Sequence, residues 1–123
     1  MKHKESKTQI VCIKWFRLQY PNMKLNLFSI PNGAALQGAP TERAKQWNRL
    51  AQEGATPGAA DLFLAVGNSQ SHGLFIEMKS PTGKLSDTQT AFRQSVMQQG
   101  YSYVVCYSLF EFINLITNYC AYK

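Results

Sequence analysis

Cysteine and histidine are scarce in this sequence of 123 residues, which contains three cysteines and two histidines. The cysteines at positions 12, 106 and 120 form no Cys-x-x-Cys pair, and their odd number does not suit a fully paired disulfide framework. His3 and His72 do not stand at zinc-ligand spacing from them. The sequence therefore predicts reduced cysteines and neither a disulfide scaffold nor a zinc site.

Long apolar segments are also missing, because no run of about 18 apolar residues occurs. The apolar stretch near the start is interrupted by Lys14 and Arg17 and is not followed by the small-residue cleavage site of a signal peptide. The hydrophobic fraction of 45% and the charged fraction of 16% are those of an ordinary globular protein. We therefore expect a single domain over residues 1–123 that is cytoplasmic and makes no membrane contact.

Acidic residues are few as well, since seven Asp and Glu oppose thirteen Lys and Arg and leave a net charge of +6. Such a surplus favours a polyanionic partner, because binding releases the counterions condensed on it. Charge alone does not distinguish a nucleic-acid-binding protein from one that is merely basic. The decision therefore rests on motifs.

Hydrophobic periodicity and turn residues divide the chain into eight elements. They are a helix 5–20 closed by Pro21, a strand 25–30, a helix capped by Thr41 and ended by Gly54, strands 61–66 and 73–79, a helix opened by the capping box Ser86–Gln89, a strand 101–107, and a helix opened by a second capping box at Ser108–Glu111. Strand 61–66 is apolar on both faces, so each face needs covering. The order α-β-α-β-β-α-β-α predicts an α/β fold, with a mixed central β-sheet flanked by helices on both faces.

Charged residues stand at one end of the predicted hairpin. Asp61 opens its first strand, while Glu77 and Lys79 end the second strand two residues apart and therefore on one face. Pairing the hairpin about Gln70 places Asp61 opposite Lys79 and diagonal to Glu77. Two carboxylates in a partly dry site repel each other unless a cation lies between them, and Mg²⁺ prefers such oxygen ligands.

A simpler explanation of the same residues is that Asp61 caps the strand entrance while Glu77 and Lys79 are solvated at a sheet margin. Because the pattern is short, its spacing alone does not decide between the two.

Together with other blocks in the same order, these residues resemble a stand-alone VRR-NUC domain, a branch of the PD-(D/E)XK nuclease superfamily, whose fold is restriction-endonuclease-like. The blocks are Glu5-x-x-x-Gln9, Ile30-Pro31-Asn32-Gly33, Gly54 to Gly58 ahead of Asp61-Leu62, Glu77-Met78-Lys79, Gly83-Lys84-Leu85-Ser86 with Gln89, and Gly100-Tyr101. Two positions depart from the family pattern: Ala60 replaces the proline before the first aspartate, and Ser29 stands where relatives often have histidine.

The resemblance implies a role for each matching residue. Asp61, Glu77 and the backbone carbonyl of Met78 would bind the metal, Lys79 would be the catalytic lysine, Glu5 would approach the water at the metal, Gln89 would support the site, and Asn32 and Lys84 would contact nucleic acid. Simpler roles exist for the last four: Gln89 completes a capping box, Glu5 complements a helix dipole, Asn32 is a turn residue and Lys84 is a solvated lysine.

The implied function is metal-dependent hydrolysis of phosphodiester bonds in DNA, with Mg²⁺, or alternatively Mn²⁺, and without a nucleotide or organic cofactor. Stand-alone members resemble structure-specific endonucleases acting on branched DNA such as four-way (Holliday) junctions, which implies a homodimer. Two alternatives remain open: a non-catalytic basic nucleic-acid-binding module with a nuclease-like fold, and an interaction protein that is merely basic.

Overall fold

The structure, a computed structural model, describes residues 3–31 and 36–122, with the side chain of His3 excepted. Within these ranges the chain forms α1 (His3–Gln19), a 3₁₀-helix (Pro21–Met23), β1 (Leu27–Ser29), α2 (Pro40–Gln52), β2 (Leu62–Leu64), β3 (Leu74–Met78), α3 (Asp87–Gln98), β4 (Ser102–Cys106) and α4 (Leu109–Ala121). The predicted order of helices and strands is confirmed. The strands are shorter than their apolar patterns suggested.

The described strands form one sheet in the order β1-β2-β3-β4. The pairs β1/β2 and β2/β3 are antiparallel, whereas β3 and β4 are parallel. A parallel pair requires a crossover between its strands, and α3 supplies it. The predicted mixed sheet is therefore confirmed.

Both faces of the sheet are covered by helices, as its two apolar faces require. On one face, buried side chains of β2 and β3 pack against α1 and α4; this cluster contains Cys12, Phe16, Leu27, Leu62, Leu64, Leu74, Ile76, Met78, Cys106, Phe112, Ile116 and Tyr119. On the other face, the ring of Phe75 lies 4.4 Å from that of Phe63 and 5.2 Å from that of Phe92 on α3. Each fully buried large apolar side chain contributes about 1.5–3 kcal/mol, so the two layers fix the sheet between the helices.

The starts of α3 and α4 follow the predicted capping chemistry to different extents. At α3 the Ser86 hydroxyl accepts from the Gln89 N–H at 3.3 Å, and the Gln89 side-chain oxygen accepts from the Ser86 N–H at 2.9 Å. At α4 the Ser108 hydroxyl accepts from the Glu111 N–H at 3.2 Å, but the Glu111 carboxylate accepts from Tyr107 instead of Ser108. The second capping box is therefore only half formed.

The predicted Thr41 cap of α2 is wrong. The helix begins at Pro40, its N-cap is Ala39, and no side chain caps it. Proline suits the first helical position because its ring fixes φ and the N–H that it lacks would have no partner there. The predicted end is correct, since Gly54 follows α2 with a φ of +113°.

The register of the hairpin also differs from the prediction. Leu62 pairs with Ile76 and Leu64 with Leu74, so continuing the register places Asp61 opposite Glu77 rather than opposite Lys79. The connection between β2 and β3 contains a side-chain-stabilised turn, in which Asn68 Oδ1 accepts from the Gln70 N–H at 2.8 Å. Because side chains alternate with a period of two, a shift by two residues changes the partner and keeps the face.

The cysteines are free thiols, as the sequence predicts. Cys12 and Cys106 are buried, Cys120 is partly buried, and all three are free thiols. Burial raises the pKa of the Cys106 thiol to about 11, which keeps it protonated and unreactive at neutral pH. No helix within the described ranges is long and apolar enough to cross a bilayer.

Candidate metal centre

Two buried carboxylates lie side by side at one end of the sheet. Asp61 is 7% exposed and Glu77 is 3% exposed. The backbone holds Asp61 from both neighbouring strands: its carbonyl accepts from the Ile30 N–H at 2.9 Å, and its Oδ2 accepts from the Met78 N–H at 2.8 Å. The aspartate thereby ties β1, β2 and β3 together at this edge.

The carboxyl groups of Asp61 and Glu77 are hydrogen-bonded to each other. Burial, with the charge and the hydrogen bond of Asp61, raises the pKa of Glu77 to about 8, against the lowering effect of Lys79. Burial also raises the pKa of Asp61, against the lowering effect of the Met78 N–H. Without a cation the pair therefore retains a proton that two exposed carboxylates would lose at neutral pH.

Lys79 lies beside this pair. Its Nζ is 3.9 Å from Glu77 Oε2, and its side chain is only 15% exposed. The turn after β3 packs on its stem, because a Cβ added at Gly83 would lie 3.3 Å from the Cδ of Lys79. The ammonium group is thus held at the edge of the carboxylate pair.

Gln89 serves the helix cap and the site at once. Its side-chain nitrogen donates to Glu77 Oε2 at 3.1 Å, while its side-chain oxygen accepts from the Ser86 N–H. The two sequence-based explanations of Gln89 are therefore compatible, because a primary amide offers a donor and an acceptor in opposite directions.

The donor set suits a hard divalent cation. Glu77 Oε1 is buried and has no hydrogen-bond partner among the described residues. In the ranges that the structure describes, no group of three or more His, Cys, Asp or Glu side chains is placed to hold a metal ion. Mg²⁺ needs no such group, because it is commonly held by one or two carboxylates while it keeps several waters. The pair therefore fits Mg²⁺ better than Zn²⁺, which prefers a complete set of nitrogen and sulfur ligands.

Glu5 and Met78 have different relations to the carboxylate pair: Glu5 acts on it through its charge, and Met78 through its backbone N–H. Glu5 is half-buried in the first turn of α1, and its charge raises the pKa values of both Asp61 and Glu77, although it is the weakest of the causes. Met78 is 1% exposed and its side chain belongs to the core. The backbone N–H of Met78 donates to the Asp61 carboxylate. The metal-binding role of the Met78 carbonyl stays a prediction.

Two further residues, Lys84 and Asn32, were predicted to contact nucleic acid. Lys84 is exposed in the segment between β3 and α3, close in sequence to Lys79 and Gln89. Asn32 lies outside the described residues. Their roles remain predictions.

Two buried polar groups near the site were missed or left without a role by the sequence analysis. Tyr103 on β4 is 7% exposed, and its hydroxyl has no hydrogen-bond partner among the described residues. The same holds for the Oε1 of Gln9, one helical turn after Glu5 on α1. Alternation in β4 puts Tyr103 and Val105 on one face, but only the register against β3 shows that this face is that of Glu77.

This architecture, a mixed sheet between helices with two carboxylates and a lysine at the end of neighbouring strands, is restriction-endonuclease-like. A sequence model of the VRR-NUC domain matches residues 3–109, and the chain therefore belongs to the VRR-NUC domain family. A solved structure described as "VRR_NUC domain protein" has 19% sequence identity and a TM-score of 0.81, with 100% of this chain and 93% of that chain covered. No curated protein matches the sequence.

The resemblance inferred from the motifs is confirmed by this family match. Membership of the family implies a nuclease-type function with DNA as the substrate.

Proposed function

We propose that this chain is a metal-dependent DNA endonuclease that hydrolyses phosphodiester bonds with Mg²⁺, or alternatively Mn²⁺, at Asp61 and Glu77. The observation that carries the proposal is the burial of two adjacent carboxylates, 7% and 3% exposed, with the Oε1 of Glu77 lacking a donor among the described residues. Burying an ionised carboxylate without a counter-charge costs several kcal/mol. A module that only binds phosphate gains nothing from that cost.

Each residue of the site would have a separate role in the reaction. Asp61 and Glu77, with the Met78 carbonyl, would hold the ion, which when bound supplies a Lewis acid that lowers the pKa of a water and stabilises charge on the phosphate. Gln89 occupies Glu77 Oε2 and so leaves Oε1 for the ion. The ammonium of Lys79 would orient the attacking water or balance the negative charge that develops on the phosphate.

Three further residues would act at the border of the site. Glu5, at the first turn of α1, would approach the attacking water; its charge acts on both carboxylates. Lys84 is exposed and would contact a phosphate of the DNA backbone, and Asn32 would do the same. Such contacts position a duplex without selecting its sequence.

A cleavage panel tests the proposal. Linear, nicked, flapped and four-way-junction DNA would be incubated with Mg²⁺, Mn²⁺ or EDTA. We expect cleavage only with metal, and a loss of about 10²–10⁴-fold in Asp61→Asn and Lys79→Ala proteins. Glu42→Gln and Lys45→Ala are matched controls, because both residues are exposed on α2 and should leave the rate unchanged.

Retained activity in both site variants would show that the roles given to Asp61 and Lys79 are wrong. If the wild-type protein binds DNA in a salt-dependent manner but cuts none of the four substrates with either metal, the non-catalytic binding module replaces the nuclease.

We also infer that the chain acts on branched DNA as a homodimer. The support is apolar surface on the two helices that cover one face of the sheet: Ile10 and Val11 of α1 are 51% and 43% exposed, and Phe110 of α4 is 75% exposed. A two-fold dimer would present two carboxylate sites to the paired strands of a junction. The junction would then be recognised by its shape and through contacts to its backbone.

A further inference from the structure

The hydroxyl of Tyr103 is buried and has no hydrogen-bond partner among the described residues, and the whole residue is only 7% exposed. An unsatisfied buried hydroxyl is destabilising, so phenylalanine would be the more stable residue at a position that serves packing alone.

The sheet places this hydroxyl beside the carboxylates. Tyr103 pairs with Phe75, and Glu77 is the next residue of β3 on the same face, so Tyr103 is the diagonal neighbour of Glu77. Diagonal neighbours in a sheet lie within reach of an aromatic side chain. The charges of Glu77 and Asp61 both act on the phenol.

The ring of Tyr103 packs against α3. The guanidinium carbon of Arg93 lies 5.9 Å from the ring centroid, and the ring of Phe92 lies 6.4 Å from it. A phenol is protonated at neutral pH, so its O–H is available as a hydrogen-bond donor. The side chain is therefore a fixed hydrogen-bond donor.

Glu77 offers an acceptor oxygen for this hydroxyl. Its Oε2 already receives Gln89 and lies near Lys79, whereas its Oε1 is buried and has no donor among the described residues. A carboxylate oxygen that binds a metal ion has a second lone pair for a donor, and metal-binding carboxylates are commonly hydrogen-bonded in this way.

We propose that Tyr103 is a positioning residue of the metal centre: its hydroxyl donates to Glu77, directly or through one water, when the carboxylates hold a divalent ion. The inference rests on the proposed function, because it assumes that Asp61 and Glu77 bind a metal. The proposal gives β4 a role in the site. The motifs and the family resemblance had assigned no site residue to this strand.

Calorimetric titration of Mn²⁺ into the whole protein tests the proposal with a readout other than activity. We expect Tyr103→Phe to bind Mn²⁺ more weakly, on the order of 10-fold, as loss of a partner of a metal ligand typically does. The melting temperature of the metal-free variant should be unchanged or higher, because the lost hydroxyl had no hydrogen-bond partner among the described residues. If Tyr103 served packing alone, the substitution would not weaken metal binding while leaving the melting temperature undiminished.

Tyr101→Phe is the matched control. Tyr101 precedes β4, and its ring packs on Phe63, Phe75 and His72 away from the carboxylates, with centroid distances of 5.9, 5.6 and 5.7 Å. We expect this variant to bind Mn²⁺ like the wild type.

Two outcomes would overturn the inference. The first leaves the proposed metal centre intact, whereas the second contradicts it as well. If wild type and Tyr103→Phe bind Mn²⁺ equally well, Tyr103 has no positioning role while the proposed metal centre stands. If the wild type binds no Mn²⁺ and Asp61→Asn changes nothing, both the metal centre and the role of Tyr103 fail.

Discussion

Asp61 and Glu77 lie so close together that the two carboxyl groups are not both ionised at neutral pH without a cation between them. Their carboxyl groups are hydrogen-bonded to each other and almost entirely buried, and the Lys79 ammonium, 3.9 Å from Glu77 Oε2, offers a compensating charge. Such a pair destabilises the metal-free protein at neutral pH and becomes favourable when a divalent ion replaces the proton. The same two residues therefore link stability, pH and metal binding.

We predict that the metal-free protein loses stability as pH rises from about 5 to about 8. The pKa of Glu77 is raised from 4.5 to about 8, so the folded state binds more protons than the unfolded chain within this window. The slope of unfolding free energy against pH is therefore negative, by up to about 1.4 kcal/mol per pH unit, and the stability is fully present below pH 4.5. Thermal melts in EDTA from pH 5 to pH 8 measure it.

The Glu77→Gln variant is the control for this pH dependence. Glutamine cannot titrate, so the variant should show a flatter profile while every other titrating group is retained. Saturating Mg²⁺ should likewise reduce the loss in the wild-type protein, because ion binding strengthens as the carboxylates ionise. An equally steep profile in Glu77→Gln would assign the pH dependence to other residues.

The start of α3 couples the fold to the site. Its capping box places Gln89 so that the side chain also donates to Glu77 at 3.1 Å. Gly58, in the connection that leads to β2, packs directly on this first turn: a Cβ there would meet the backbone of Thr88 and would lie 2.8 Å from the Gln89 nitrogen. The position of the helix, and with it Gln89, depends on the absence of a side chain at residue 58.

We predict that Gly58→Ala destabilises the protein by about 2–5 kcal/mol and lowers any metal-dependent cleavage. The residue has a φ of +82°, which costs about 1–2 kcal/mol for alanine. The new methyl group adds about 1–3 kcal/mol of overpacking by pushing Thr88 and Gln89 away from the sheet. Denaturant unfolding and the cleavage assay measure the two effects.

Gly54→Ala separates the backbone cost from the packing cost. Gly54 also has a positive φ, of +113°, but a Cβ there would meet nothing within 4 Å. This variant should lose only the backbone contribution and retain full activity. Equal effects of the two substitutions would show that the contact between Gly58 and α3 does not position Gln89.

At the scale of the whole molecule, basic charge and exposed apolar surface occur together. The chain carries a net charge of +6, which suits a DNA substrate. Phe110 at the start of α4 is 75% exposed, whereas Phe112 and Ile116 of the same helix are fully buried. The helix is therefore apolar on two sides, and the sheet uses only one of them.

We predict that the protein sediments as a dimer at micromolar concentration and that Phe110→Glu weakens this dimer at least 10-fold. A charged side chain at the centre of an apolar contact must be desolvated, and each factor of ten corresponds to about 1.4 kcal/mol. Analytical ultracentrifugation measures the association constant. Cleavage of four-way junctions should fall with it, while the metal affinity of each protomer stays the same.

Leu25→Glu is the control for this substitution. Leu25 is 86% exposed in the turn before β1, so the change adds the same charge to apolar surface outside α1 and α4. We expect no change in association. A monomeric wild-type protein, or equal effects of both substitutions, would contradict the proposed interface.

Much of the fold followed from local chemistry. Gly54 and Ser86 marked helix ends because a positive φ and a side-chain cap are properties of a few neighbouring residues. Thr41 misled the prediction because Pro40 opens the helix one residue earlier without any side-chain cap. Asp61, Glu77 and Lys79 could be assigned to one face because strand alternation depends only on whether a shift is odd or even.

The sequence by itself determined the order of elements, the two apolar faces of the sheet, and the side on which the charged residues stand. Only the tertiary structure decided that Asp61 pairs with Glu77, that Gln89 reaches the site while capping α3, that Gly58 positions that helix, and that Tyr103 lies next to Glu77. The physical reason is the sequence distance over which each feature is determined. Hydrophobic periodicity and helix caps depend on residues within a few positions of one another. Contacts between segments far apart depend on the turn geometry and side-chain packing of all the elements at once.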